Sequence, residues 1–301
     1  MENQKKILVI GSLNMDLVTQ VEQTPRVGET VAGRGLIYNP GGKGANQAVA
    51  MGKLGADVTM VGMVGDDVSG EELKQNLAVM NVHDKVGLAA DAPTGMALIM
   101  VNDNADNSIV VIEGANGNLK PEIVQKSWFD DMDILVMQLE VPMETVSKCM
   151  TLAHESGLFT VLNPAPAKAL SKELLNNLDL LVVNETEFET LSGTEFKDPQ
   201  DLAHGYELLG VKSIVLTLGD KGAWYFDGDQ LLHVPAYKVK AVDTTAAGDS
   251  FIGGLMTKIS KGSSMKEALE FATEVAAFTV TRLGAQKSLP TLEALLERRK
   301  L

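Results

Sequence analysis

The sequence predicts an α/β fold: a doubly wound, mostly parallel sheet with helices on both faces and a small second β-sheet. Three observations predict it. Short apolar runs alternate with helix-length segments through most of the 301 residues. The runs are continuously apolar rather than alternating, as expected for strands covered on both faces. Two further pairs of strand-like segments have no helix between their members, so each pair is expected to run antiparallel.

The buried strands read Ile7–Ile10, Val58–Val64, Ile134–Met137, Thr160–Leu162, Leu180–Val183 and Ile214–Leu218. Between them lie helical patterns over Gly44–Leu54, Gly70–Met80, Glu122–Asp130, Glu144–Glu155, Ser171–Asn177 and Asp201–Leu209. Several open on proline or a capping residue and close at glycine. The exceptional pairs are Asp16–Glu22 with Val31–Tyr38, and Gly95–Val101 with Ser108–Glu113 across the polar turn Asn102–Asn107. These four segments should form a small sheet that acts as a lid, a dimer surface, or both; the pattern is equally compatible with an edge extension of the main sheet. From Thr244 onward the pattern is helical: Ala247–Ser260, Met265–Arg282 and Thr291–Arg298, the last closed by Arg298-Arg299-Lys300, as suits a helix C-terminus. There is no internal repeat or linker. The length fits two average domains or one large α/β unit, and the unbroken pattern favours a single domain over 1–301 with lid strands from about 16–38 and 95–113.

Composition narrows the function. Lys+Arg 26 against Asp+Glu 40 leaves a net charge of −14, which disfavours non-specific binding to nucleic acid or to a membrane. No apolar run approaches the ~20 residues of a membrane span, and Ile7–Ile10 is too short for a signal-peptide core, so a cytosolic protein is expected. The one cysteine, Cys149, makes neither an internal disulfide nor a zinc site and reads as a buried thiol. Gly33/Gly35 and Gly42/Gly44 are the two G-x-G sites, and Tyr38 and Gln47 stand where a dinucleotide fingerprint needs its third glycine. A Walker loop, a metalloprotease histidine pair and a serine-hydrolase elbow are absent as well.

Two glycine-rich loops remain. In the first, Asp243-Thr244-Thr245-Ala246-Ala247-Gly248-Asp249 opens a helix. Its small residues let a ligand approach the backbone, and helix N-terminal N–H groups suit an anion. Asp249 is then either a helix-start charge or a general base that takes a proton from a hydroxyl attacking a phosphorus; the loop alone leaves both open. In the second, Asn39-Pro40-Gly41-Gly42-Lys43-Gly44-Ala45-Asn46 puts ammonium and amide groups where a polyol would need them, though Lys43 could equally be surface charge. Asn14 and Asp16 follow the first strand, Glu140 follows Ile134–Met137, and Asn184, Glu185 and Glu187 follow Leu180–Val183. These are carboxyl ends of strands, where open α/β sheets bind ligands.

These segments, in this order, resemble the ribokinase family of carbohydrate kinases. Gly11-Ser12-Leu13-Asn14-Met15-Asp16, Gly41–Asn46 and Asp243–Asp249 carry the likeness. Gln138-Leu139-Glu140, Asn163–Ala167, Asn184–Glu187, Thr217-Leu218-Gly219 and Gly284-Ala285-Gln286 extend it over nearly the whole chain. The resemblance implies ATP-dependent phosphorylation of D-ribose at O5. Deoxyribose, fructose and adenosine are the alternative acceptors, and a sensor without catalysis is the more distant reading. It implies Asp249 as base and the amides of Ala246, Ala247 and Gly248 as the anion hole. Asn14, Asp16, Gly42, Lys43, Gly44, Ala45, Asn46 and Glu140 would hold the sugar. Asn184, Thr217, Leu218, Gly219, Asp220, Lys221, Gly222, Gly248 and Thr273 would contact ATP. Glu187 would organise Mg²⁺ through water, and K⁺ would lie among Asp243, Thr245, Thr279, Arg282, Gly284 and Ser288. The lid strands would make a homodimer.

Overall fold

The computed structural model describes residues 4–104 and 106–299. Ala105 of the expected Asn102–Asn107 turn and Lys300 of the basic C-terminal run lie outside the described residues. The chain opens with β1 (Lys6–Ile10), leaves the main sheet for β2 (Asn14–Gln20) and β3 (Ile37–Gly41), and returns through α1 (Lys43–Lys53) to β4 (Asp57–Val61). Next come β5 (Met63–Gly65), α2 (Val68–Val79), β6 (His83–Asp84), β7 (Gly87–Ala89), β8 (Gly95–Val101) and β9 (Asn107–Ile112). After short 3₁₀ turns follow β10 (Ile134–Met137), α3 (Met143–Glu155), β11 (Phe159–Leu162), α4 (Lys172–Asn176), β12 (Leu180–Asn184) and α5 (Glu185–Ser192). Then come α6 (Pro199–Leu209), β13 (Ile214–Thr217), β14 (Ala223–Phe226) and β15 (Leu231–Val234), and the chain closes with α7 (Ala247–Ser260), α8 (Met265–Thr279) and α9 (Leu292–Arg298).

The main sheet runs β15-β14-β13-β12-β11-β10-β1-β4-β6. Every pairing from β13 to β6 is parallel, and β14 and β15 add an antiparallel edge. From β1 the chain builds outward in one direction to β4 and β6, then starts again on the other side with β10. The order therefore reverses between β1 and β10, the position where such sheets open a crevice at their carboxyl ends. The two-residue period of β1 serves both faces: Ile7 and Val9 pack with Val58, Met60 and Leu255, while Leu8 and Ile10 pack with Leu135, Met137 and Val146. Cys149 is buried in the second cluster, and burial pushes its thiol up to about 12. No helix among the described residues is long and apolar enough to cross a membrane.

The four segments outside the βα rhythm form a separate sheet, ordered β3-β2-β8-β9, rather than an edge extension. β2 pairs antiparallel with β3 but parallel with β8. Its hairpin partner is Ile37–Gly41 and not Val31–Tyr38, because Asp16 stands opposite Asn39 and only the single bridge Val21–Gly33 reaches back. Val58–Val64 is also divided: the main sheet takes it to Val61, and Met63–Gly65 pairs with β7 instead. Glu122–Asp130 is no α-helix but 3₁₀ turns at Pro121–Ile123 and Lys126–Trp128. Its buried anchors Val124 and Phe129 are five residues apart, a spacing one helical face does not serve. The helix expected to reach Arg282 stops at Thr279, where the Val280 carbonyl accepts from the N–H groups of Val242 and Asp243.

Two helices start beside each other at the carboxyl edge of the sheet, α1 and α7. They cross where a Cβ on Gly253 would lie 2.3 Å from the Cβ of Ala50. Only glycine admits this approach. Gly253→Ala should therefore lower the unfolding free energy by about 1–3 kcal/mol, and should lower catalytic turnover by a larger factor than the stability change explains. Urea titration and steady-state kinetics on the same preparation check this.

Candidate functional site

The crevice is built from the turns that leave β1 and β10. Ser12 Oγ donates to Glu140 Oε2 (2.5 Å) and accepts the Gly44 N–H (3.3 Å), and the Lys43 N–H reaches the same Glu140 oxygen (3.0 Å). One carboxylate thus ties the end of β10 to the start of α1. Gly42, at φ 87°, has Asn14 N, Ser12 O and Leu13 Cα all within 3.0 Å of where its Cβ would be, so no side chain fits. Ala45 completes the join by donating its N–H to Ser12 O (2.9 Å). Asn14 is held by Asn116, whose Nδ2 donates to Asn14 Oδ1 (2.8 Å) while its Oδ1 accepts the Leu13 N–H (2.9 Å). The Asp16 carboxylate lies against the backbone of Gly41. Burial, then Glu140 and Asp249, push its carboxyl up to about 7.

Asp249 sits in the first turn of α7. The N-cap is Ala246, in the left-handed region at φ 59°. The Ala247 N–H is taken by Thr244 O (3.1 Å), while the N–H groups of Ala246 and Gly248 have no protein acceptor among the described residues. Asp249 is buried, and both its oxygens are occupied: Asn46 Nδ2 donates to Oδ2 (3.0 Å) and Gln47 Nε2 to Oδ1 (3.0 Å). Asn46, expected to face a ligand, therefore spends one amide proton on Asp249, and its oxygen accepts from Gln286 (3.1 Å).

Asp249 also lines a cavity of about 220 Å³ with Lys43, Asn184, Glu187, Thr217 and Gly248. Burial works against the charge of Lys43, but Asp249, Glu140 and Glu187 together hold its proton more tightly than water does. Glu187 and Asn184 form a capping box at the start of α5, with Asn184 N–H on Glu187 Oε2 (3.0 Å) and Glu187 N–H on Asn184 Oδ1 (2.8 Å). Burial raises the Glu187 carboxyl above the usual carboxylate range, with the Asn184 N–H and Lys43 opposing. Leu218 and Gly222 close a tight turn by the bond from Leu218 N–H to Gly222 O (2.8 Å), with Gly219, Asp220 and Lys221 at its tip.

Among the described residues no three His, Cys, Asp or Glu side chains cluster as a metal site. The donors near Asp243 are of another kind. Asp243 Oδ1 accepts from Thr245 N–H (2.9 Å) and Thr245 hydroxyl (2.6 Å), and Oδ2 from Gly284 N–H (2.8 Å), joining the two loops and holding the carboxyl below its ordinary range despite burial. The hydroxyls of Thr279 and Ser288 donate to Val275 O and Ala285 O, and the Arg282 guanidinium lies 4.0 Å over the Phe278 ring. The oxygens that these residues and Asp243 could offer a cation, carboxylate, carbonyl and hydroxyl, suit a hard ion. Thr273 lies apart, buried in α8 with its hydroxyl on Leu269 O (2.8 Å), and does not line the cavity. Gln47 and Asn116 are the site residues that the sequence did not single out. Asn163, Ala165, Thr244 and Ile252 also line the cavity wall.

Comparison with known proteins agrees with this architecture. The family model described as "pfkB family carbohydrate kinase" matches residues 4–292. A ribokinase of Schizosaccharomyces pombe is 42% identical over 304 residues, covering 95% of each chain. A deoxyribokinase of Salmonella typhi is 38% identical over 298 residues, covering 97% of each. The structure of Arabidopsis thaliana ribokinase complexed with ribose and ATP superposes with a TM-score of 0.92 at 30% identity, covering 99% of this chain and 100% of that one.

Because the folded carboxyl of Asp16 titrates near 7 and the unfolded one near 3.8, the native state holds the extra proton between these values and loses stability as pH rises through them. Asp16→Asn should consequently stabilise the ligand-free protein at pH 8, by up to about 4 kcal/mol. The gain should shrink toward zero as pH falls to 4. Chemical unfolding at a series of pH values measures it, and a gain independent of pH refutes the assignment.

Proposed function

The chain belongs to the pfkB family of carbohydrate kinases, and from that premise we propose that it uses ATP to phosphorylate D-ribose at O5. The observation that carries the reading is Asp249: a buried carboxylate with both oxygens held by amides, at the start of a helix whose unpaired N–H groups open on the same cavity as Lys43. Phosphoryl transfer needs positioning and charge neutralisation more than covalent chemistry, and this arrangement supplies both.

In this reading the sugar lies among Asn14, Asp16, Gly42, Lys43, Gly44, Ala45, Asn46 and Glu140, with its primary hydroxyl directed at Asp249. The ionised carboxylate takes the hydroxyl proton as the oxygen attacks the terminal phosphorus. The N–H groups of Ala246 and Gly248 meet the charge on the transferring group, and Ala247 joins them if its bond to Thr244 is exchanged. Preorganised donors of this kind contribute about 3–4 kcal/mol each in comparable sites. Asn184 and the Thr217–Gly222 turn hold the nucleotide, while Lys43 faces both halves of the site. Glu187 fits Mg²⁺: Oε2 is engaged by the Asn184 N–H, and a single carboxylate suits an ion carried on nucleotide phosphates. Mg²⁺, when bound, neutralises phosphate charge. Asp243 with the carbonyls of Thr245, Thr279, Arg282, Gly284 and Ser288 fits K⁺, which would strengthen the positive field at the start of α7.

The small sheet serves as the lid and as the surface of a homodimer. Its edge strand leaves Ile109, Val110, Val111 and Ile112 exposed, and β3 adds Ile37 and Tyr38. Exposed apolar residues on both edge strands of the sheet suit a protein contact. The whole chain acts as one domain and works in the cytosol. A second acceptor, 2-deoxyribose, is kept because the deoxyribokinase relative is nearly as similar as the ribokinase.

Turnover of ATP with Mg²⁺ and K⁺ over D-ribose, 2-deoxy-D-ribose, fructose and adenosine tests the reading. Ribose should be preferred, with phosphate on O5; turnover independent of any sugar overturns it. Asp249→Ala should lower turnover by about 10²–10⁴-fold while ATP still binds, as calorimetry would report. Na⁺ in place of K⁺ should lower the rate, and indifference to the ion removes the K⁺ assignment.

A further inference from the structure

Behind Asn46 and Gln47 stand two further buried amides, Gln138 and Gln286, that have no role in the mechanism above. Gln138 Nε2 donates to Gln47 Oε1 (2.6 Å), Gln286 Nε2 to Asn46 Oδ1 (3.1 Å), and Asn76 Nδ2 in turn to Gln286 Oε1 (2.6 Å). Every bond in the two chains donates toward Asp249. The direction has a cause: an ionised carboxylate only accepts. It therefore faces the amide nitrogens of Asn46 and Gln47, which turns their oxygens inward, and each buried oxygen then needs a donor. Gln138 and Gln286 are those donors.

One group shows that the direction is imposed. Gln138 Oε1 is the buried side-chain atom left without a hydrogen-bond partner among the described residues. Its position against Gly11 is so close that a Cβ there would lie 2.1 Å from it. Reversing the Gln138 amide would bring two oxygens face to face with Gln47. Reversing Gln47 as well would put its oxygen against the carboxylate. The unpaired oxygen is the far end of a row that Asp249 polarises, and an orphan of this kind calls for such an explanation.

We propose that Gln138 and Gln286 are positioning residues, which fix the amide faces of Gln47 and Asn46 and so hold the Asp249 carboxylate in the orientation that receives the hydroxyl proton. This rests on Asp249 being the base. Gln138→Met keeps the side-chain length and removes the unpaired Oε1, but leaves Gln47 Oε1 without its donor, so the number of unpaired buried oxygens is unchanged. Its melting temperature should stay close to the parent's, while kcat falls about tenfold with KM for sugar and ATP within about twofold, as expected for a displaced reacting group. Gln286→Met should also lower kcat, through the other carboxylate oxygen, and this loss carries the test if Gln138→Met fails to fold. It strips Asn46 Oδ1 and Asn76 Nδ2 of their partners, so its melting temperature should fall and its KM for sugar should follow Asn46, while KM for ATP stays within about twofold.

The decisive measurement is a double-mutant cycle. In an Asp249→Ala background neither methionine substitution should lower the residual turnover further. Losses that multiply, a KM of Gln138→Met that rises in step with its fall in kcat, or an unchanged kcat overturns the proposal. If Asp249→Ala itself keeps the parent turnover, the base reading fails and takes this proposal with it. If Asp249→Ala is crippled but both methionine variants are fully active, this proposal alone fails.

Discussion

The site depends on one contact, the crossing of α1 and α7 at Gly253 and Ala50. Lys43, Asn46 and Gln47 ride on the first turns of α1, and Asp249 on the first turn of α7. A buried carboxylate must be paired or hydrogen-bonded. Here the partners come from the neighbouring helix, and they arrive only because no side chain at position 253 holds the helices apart. They are amides rather than a cation. The carboxylate thus remains an acceptor, and the ammonium of Lys43 is left facing the cavity instead of being neutralised in a closed ion pair.

The electrostatics follow from that choice. Three carboxyl groups, Asp249, Glu140 and Glu187, act on the half-buried Lys43, and Asp16 in turn lies within electrostatic reach of Glu140 and Asp249. Burial first, and the neighbouring acids second, raise Asp16 and Glu187, while the same acids strengthen the hold of Lys43 on its proton. A protein with a net charge of −14 gives an anionic ligand no net attraction at long range. It offers helix N-terminal N–H groups and one lysine, and this local supply is short-ranged, so it does not turn the outer surface into a phosphate trap.

The small sheet is set by the same region. β2 follows directly from the β1 turn, Asp16 stands opposite Asn39, and β3 runs straight into Gly42 and α1. Residues at the base of the sheet therefore share backbone with the site floor. Asn116 extends the link, because it holds Asn14 from the turn after β9. The small sheet and the turns around Asn14 and Gly42 are thereby tied together by backbone and by the Asn116 amide.

The sequence by itself determined the fold class, the strands from Ile7–Ile10 to Ile214–Leu218, the four strand-like segments outside that rhythm and the two loops around Gly42 and Asp249. These rest on local signals: continuous apolar runs, glycine and proline punctuation, and small residues before a helix. It could not see α5, whose Asn184–Glu187 capping box reads equally well as polar residues past a strand, nor that the Glu122–Asp130 pattern divides into 3₁₀ turns once Val124 and Phe129 enter the core. Tertiary structure alone decided that the four outlying segments make a separate sheet with β2 parallel to β8, that Thr273 does not line the cavity, and that Gln47, Gln138 and Gln286 stand behind Asp249. The reason is physical. Periodicity and propensity act between residues a few positions apart, whereas the partners of a buried charge are chosen by which helices can approach, and those partners lie here more than two hundred residues from Asp249 along the chain.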